Sequence, residues 1–175
     1  MFVSLFVLPG CALLKDLFHF EKEVVEEKEV VIPHDPVKAK RHYNAGTKLV
    51  TQGDTEGAER EFSKAILFDK ENITYYYDHA VACTTIDPAS SKAEESFRKV
   101  LELAGNKKGS IKEVYYSYYG LAAIYASRGD KGLAVANLKK SVRSGFTHYN
   151  MLKNDSDFYS LRGDKEFDAF IKTLN

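Results

Sequence analysis

The sequence predicts an all-α chain, a short α-solenoid of about three helix–turn–helix units with a helical C-terminal cap. Three observations lead there. A pattern of small and large residues recurs with a period of about 34 residues. Hydrophobic residues make up 44% of a 175-residue chain, enough for one packed core. Near the end, Phe167, Phe170, Ile171 and Leu174 fall at i, i+3, i+4 and i+7, which is one apolar face of a helix. Composition also excludes several classes. Lys+Arg and Asp+Glu both number 25, so there is no basic excess of the kind a general nucleic-acid binder needs. The two cysteines, Cys11 and Cys83, cannot build a disulfide scaffold. No apolar run reaches the roughly 20 residues of a membrane-spanning helix.

Residues 1–11, MFVSLFVLPGC, are apolar, carry no acid and end in small residues before Cys11. Leu8, Gly10 and Cys11 resemble the lipobox of bacterial lipoproteins, and Pro9 departs from it. The resemblance implies a signal peptide cut before Cys11 and a diacylglycerol on its thiol, so that the membrane becomes a partner through lipid. Small residues beside the cut admit the peptidase, and the thiol is the acyl acceptor. No Lys or Arg precedes the apolar run, which is short for an export signal; a start further upstream would supply both. Ala12, where Asp could stand, resembles lipoproteins sent on to the outer membrane. The expected location is therefore the bacterial cell envelope, lipid-anchored at the outer membrane. The alternative is a cytoplasmic protein whose hydrophobic N-terminus frays.

Residues 12–36 read as a charged linker. Between 15 and 36 there are seven acids and three bases, valine pairs without a 3.6-residue period, and Pro33 and Pro36 at the end. A proline disfavours the helical region for the residue before it, which sets a boundary there. The other reading of this stretch is a solvated first helix.

The repeats occupy residues 37–148, as units 39–72, 73–107 and 110–145. In the first, Gly46, Leu49, Gly53, Ala58, Phe62 and Ala65 have the same spacings as Ala122, Tyr125, Gly129, Ala134, Leu138 and Ser141 in the third. A more degenerate middle unit carries Tyr76, Ala80, Cys83, Ala93, Phe97 and Val100, with one extra residue in its turn at 84–90. The pattern resembles the tetratricopeptide repeat, without its Trp and its closing Pro. Small residues at 46, 80 and 122 let two antiparallel helices approach, and Phe62, Phe97 and Leu138 fill the groove one turn away. Gly53-Asp54 and Gly129-Asp130 read as a left-handed cap followed by a capping acid. Residues 105–110 should be a loop leading into a longer first helix of the third unit. Residues 149–175 form the cap that a stacked array needs over its last apolar face. They resemble the segment that often closes tetratricopeptide arrays, with Ser156 and Lys165 where Pro is more usual.

Tetratricopeptide arrays line a concave groove with the first helix of each unit. That register puts Tyr43, Tyr77 and Tyr119 at one groove position, Lys40, Thr74 and Tyr116 on one side, and Thr47, Val81 and Ala123 on the other. A tyrosine ladder flanked by small residues suits an extended peptide, because each ring offers apolar area and a hydroxyl at low entropic cost. The same rings could instead pack between helices. The family's basic clamp for a C-terminal carboxylate is represented by Lys40 alone, which argues against a chaperone-tail binder.

Catalytic and metal patterns are weak. His79 and Cys83 are four apart on one helix, but Cys83 holds a packing position equivalent to Leu49 and Tyr125 and reads as a core cysteine. Asp155, Asp157 and Glu166 match three ligands of a calcium loop, yet Tyr159 and Ser160 stand where the fifth ligand and the required Gly belong. Arg-Gly-Asp at 128–130 and 162–164 suggests adhesion, but the first copy is already explained as a repeat turn. His19, His34, His42, His79 and His148 show no metal spacing. The expectation is a non-catalytic protein–protein interaction module with no cofactor, no metal and no small-molecule substrate. A membrane-anchored envelope lipoprotein holding a partner's peptide is preferred, and a cytosolic adaptor without lipidation is the alternative.

Overall fold

A computed structural model describes residues 33–105 and 112–174. Cys11, the lipobox-like segment, most of the charged stretch and the loop expected at 105–110, apart from Gly105, lie outside the described residues. The described helices are α1 (Pro36–Thr51), α2 (Thr55–Phe68), α3 (Ile73–Ile86), α4 (Ser91–Ala104), α5 (Lys112–Ser127), α6 (Lys131–Arg143), α7 (Tyr149–Asn154) and α8 (Lys165–Lys172), with a 3-10 helix at Ser156–Leu161 before α8. Consecutive helices pack as the hairpins α1/α2, α3/α4 and α5/α6, and each hairpin stacks on the next through α2/α3 and α4/α5. This is the solenoid expected from the repeat, and the all-α class holds among the described residues.

Local chemistry sets the helix ends. Asp35, Asp54, Ser90 and Asp130 each accept a hydrogen bond from the backbone N–H three residues on, and Asn72 from Thr74 N–H. Such caps satisfy N–H groups that have no partner inside the helix. Pro36 opens α1, where its missing N–H is no loss. Gly53 and Gly129 sit at φ 79° and 81°, and in both turns the following Asp caps the next helix. The turn and the cap are therefore one device used twice.

The core grows toward the C-terminus. Its largest cluster runs from Ala80, Cys83 and Phe97 through Leu121, Ile124 and Leu138 to Phe146, Leu152, Phe158 and Leu161. Phe167, Phe170 and Leu174 close it, and Ile171 packs against it half-buried, so the face read from the sequence is the one buried. The first unit depends on two smaller clusters, Ala39–Ala65–Tyr75 and Ala58–Phe62–Ala82. Gly46 permits close packing there, since a Cβ on it would stand 2.6 Å from the Phe62 ring.

Candidate functional site

The first helices of the units, α1, α3 and α5, carry the tyrosine ladder, and each rung has a different environment. The Tyr43 hydroxyl donates to Asp78 Oδ2 at 2.7 Å, reaching from α1 to α3. The Tyr119 hydroxyl donates to Asp155 Oδ2 at 2.5 Å, reaching from α5 to the segment before the 3-10 helix. Burial and these carboxylates push both phenols well above their usual range. In the repeat register the residue after Tyr43's counterpart on the next unit is Asp78, and the equivalent after Tyr119 is Gly120. Tyr77 therefore has no carboxylate from the next unit, and among the described residues its hydroxyl is the untied rung.

Two adjoining cavities follow this face. One, of about 450 Å³, is lined by Tyr77, Val81, Thr84, Thr85, Pro88, Phe97, Tyr116, Tyr119, Gly120, Ala123, Ser127, Met151 and Asp157. The other, of about 420 Å³, is lined by Thr47, Val50, Thr55, Phe62, Asp78, Val81, Ala82 and Thr85. They share Val81 and Thr85 on α3, so they lie side by side along this face and together make its trough. Gly120 deepens it: a Cβ there would lie 2.4 Å from the Phe97 ring.

The structure thus brings six of the nine expected groove residues to the trough: Thr47, Tyr77, Val81, Tyr116, Tyr119 and Ala123. Lys40, Tyr43 and Thr74 do not line either cavity. Tyr43 instead lies 4.8 Å from the Tyr75 ring and 5.7 Å from Phe62, in the packing role that the sequence left open. Tyr119 has both roles. It lines the trough, yet is only 7% exposed, wedged between Phe146 at 4.9 Å and Phe158 at 5.1 Å. As trough residues, Gly120 and Met151 give no signal in the sequence, and Asp157 is weighed there only as a calcium ligand; Asn44, exposed one turn beyond Lys40 on α1, is also passed over.

The charge of the trough is acidic. Among the described residues its lining contains Asp78 and Asp157 and no Lys, Arg or His. Burial, with Glu113 nearby, raises the Asp78 carboxyl; burial, with Asp155 nearby, raises Asp157. Tyr77 is pushed up to about 12 by burial and by the charges of Asp78 and Glu113. Among the described residues neither trough carboxylate has a basic partner to offset the cost of its charge.

Behind this face, at the α2/α3 contact, donor atoms of Glu59, His79 and Cys83 lie within 4.8 Å of one another. The His79–Cys83 pair was visible in the sequence as an i, i+4 spacing. Glu59 was not, because only packing of α2 on α3 brings it there. Cys83 is buried, as a core cysteine should be.

No protein-family model and no curated protein matches the chain. Among solved structures it is similar to the N-terminal domain of stress-induced protein-1 (STI-1) from C. elegans. The TM-score is 0.57 at 20% identity, covering 78% of this chain and 93% of that one. With the helix hairpins described above, this likeness supports a tetratricopeptide-like solenoid fold.

Proposed function

We propose that this tetratricopeptide-like solenoid is a non-catalytic protein–protein interaction module that holds an extended segment of a partner in the α3/α5 trough. The observation that carries the reading is the Tyr77 rung, untied among the described residues, set in a trough of open apolar and small side chains beside the carboxylates Asp78 and Asp157. An extended backbone can take the Tyr77 hydroxyl, and Lys or Arg side chains can neutralise Asp78 and Asp157. The favoured segment is therefore basic. A C-terminal carboxylate would face like charge. Similarity to the STI-1 domain is in keeping with partner binding, although it speaks to fold.

The test is display selection of random peptides on the full chain, followed by fluorescence anisotropy with the enriched peptide. Tyr77→Ala and Val81→Lys should each weaken binding at least about tenfold, the first by loss of a central aromatic anchor and the second by loss of an apolar contact and repulsion of a basic segment, with helicity by circular dichroism unchanged. Equal affinity in both variants would overturn the groove assignment.

The lipobox-like Leu8–Cys11 run further supports anchoring of this module to an envelope membrane by lipid on Cys11. No helix among the described residues is long and apolar enough to cross a membrane. Expression from the native upstream region with a labelled fatty acid should label the protein and leave Cys11→Ala unlabelled. Absence of label in both would favour the adaptor without lipidation.

A further inference from the structure

The Glu59–His79–Cys83 cluster has the chemistry and spacing of a metal site. Its ligand atoms are a carboxylate oxygen, an imidazole nitrogen and a sulfur, a mixed set that suits zinc-type divalent transition metals better than calcium or magnesium. His79 Nε2 lies 3.5 Å from Glu59 Oε1 and 3.7 Å from Cys83 Sγ. A tetrahedral zinc with ordinary bond lengths places neighbouring ligand atoms about 3.3–3.6 Å apart; the His79–Glu59 and His79–Cys83 separations are close to that range, and the set of three, within 4.8 Å of one another, closes in on the ion by side-chain rotation.

The opposite edge of the imidazole is also arranged for a ligand. His79 Nδ1 is 2.8 Å from Ser96 Oγ on α4. When Nδ1–H donates to that hydroxyl, the Nε2 lone pair is left free for a metal shared with Glu59; Cys83 Sγ, 3.7 Å from Nε2 and 3.9 Å from Nδ1, stands beside the ring and turns about its χ1 to join them. Metal-bound histidines characteristically have their second nitrogen held this way. His79 and Cys83 are both buried, and Glu59 is 15% exposed. Lys92 Nζ, 3.1 Å from Glu59 Oε1, belongs to a side chain that is 72% exposed and free to swing out.

We propose that Glu59, His79 and Cys83 bind one zinc-type divalent metal ion, with water in the fourth position. Binding converts the Cys83 thiol to a thiolate and releases its proton to solvent. The ion ties α2 to α3 and so fastens the first unit to the second, where the apolar clusters are smallest.

Cobalt(II) is the probe, added to the full-length chain in a Cys11→Ala background so that Cys83 is the remaining thiol. Expected are one equivalent bound, a thiolate-to-cobalt charge-transfer band, the visible bands of tetrahedral cobalt, displacement by zinc, and a melting temperature that climbs with metal concentration. Cys83→Ser should abolish the charge-transfer band, while Glu59→Gln and His79→Gln should weaken affinity at least about tenfold. Ser96→Ala keeps all three ligands and should weaken binding about 10- to 100-fold. Absence of the band, its persistence in Cys83→Ser, or affinity unchanged in either the Glu59 or His79 variant would overturn the assignment. Should Cys83→Ser fail to fold by circular dichroism, the Glu59→Gln and Ser96→Ala titrations decide by the same criteria.

Discussion

Replacing Gly46 by Ala inserts a methyl group where the Phe62 ring already stands. The added Cβ would lie 2.6 Å from Phe62 Cε1 and 2.7 Å from Cδ1, against an ordinary carbon contact of about 3.5–4.0 Å. The ring must retreat by roughly an ångström. It is 1% exposed and packed among Ala58, Ala82, Tyr43 and Leu49, which leaves little room to yield. Overpacking of this kind costs about 1–3 kcal/mol, and the better helix propensity of Ala returns up to about 1 kcal/mol. The net expectation is destabilisation by about 1–2 kcal/mol, a fall of about 0.5–1 M in the urea midpoint for an m-value near 2 kcal/mol/M. Gly132→Ala on α6 is the matched control, because its Cβ would approach only Asp130 Oδ1, at 3.9 Å. There propensity acts alone and should raise stability by up to about 1 kcal/mol. Urea denaturation followed by circular dichroism reads both variants. A midpoint that rises in Gly46→Ala would refute the claim that the Phe62 ring is locked against α1.

Other perturbations follow from single contacts. Tyr125 O–H, Arg128 and Arg98 hold the Glu94 carboxyl down to about 2 from its ordinary 4.5. The folded value lies below the unfolded one, so the stabilisation is full above about pH 4.5 and is lost as pH falls toward 2. Linkage sets a ceiling of about 3 kcal/mol, which screening at the exposed Arg98 reduces to about 1–2 kcal/mol. Urea melts of Glu94→Gln should therefore show that deficit at pH 7 and little of it near pH 2; a pH-independent deficit would contradict the charge network. Tyr119→Phe removes the donor to Asp155 and should cost about 2 kcal/mol in thermal or urea unfolding, whereas Tyr77→Phe should leave stability unchanged and lower peptide affinity. Among the described residues Ser117 Oγ is buried without a hydrogen-bond partner, so Ser117→Ala should raise stability by about 1 kcal/mol in the same assay.

What could be read from the chain alone was local. Gly53-Asp54 and Gly129-Asp130 announce their turns because a left-handed glycine and a capping acid act within one helical turn. The Phe167–Leu174 face is legible for the same reason. Groove positions followed from period, which is why Tyr77, Val81, Tyr116 and Ala123 meet at one trough. Partners set by packing were not legible. Asp155 lies 36 residues beyond the Tyr119 hydroxyl it accepts from, and the short cap segment decides where it points. Phe97 against Gly120, Tyr43 against Tyr75, and Glu59 beside His79 depend likewise on how one helix settles on another. For the same reason the sequence treated the three tyrosines as equivalent, while the structure ties two hydroxyls to acids and leaves Tyr77.

The central claim is that a basic, extended segment lies along α3 and α5 across Tyr77. Site-specific photo-crosslinking tests it most directly. A photoreactive residue would be placed at Ala123, in the trough, or at Leu133, exposed on α6 outside both cavities, and irradiated with the selected peptide bound. Crosslinks from position 123 that vanish in Tyr77→Ala, with none from position 133, are the predicted result. Crosslinks from position 133 would place the partner on another surface, and crosslinks from 123 that persist in Tyr77→Ala would show that Tyr77 does not hold it; either result contradicts the account.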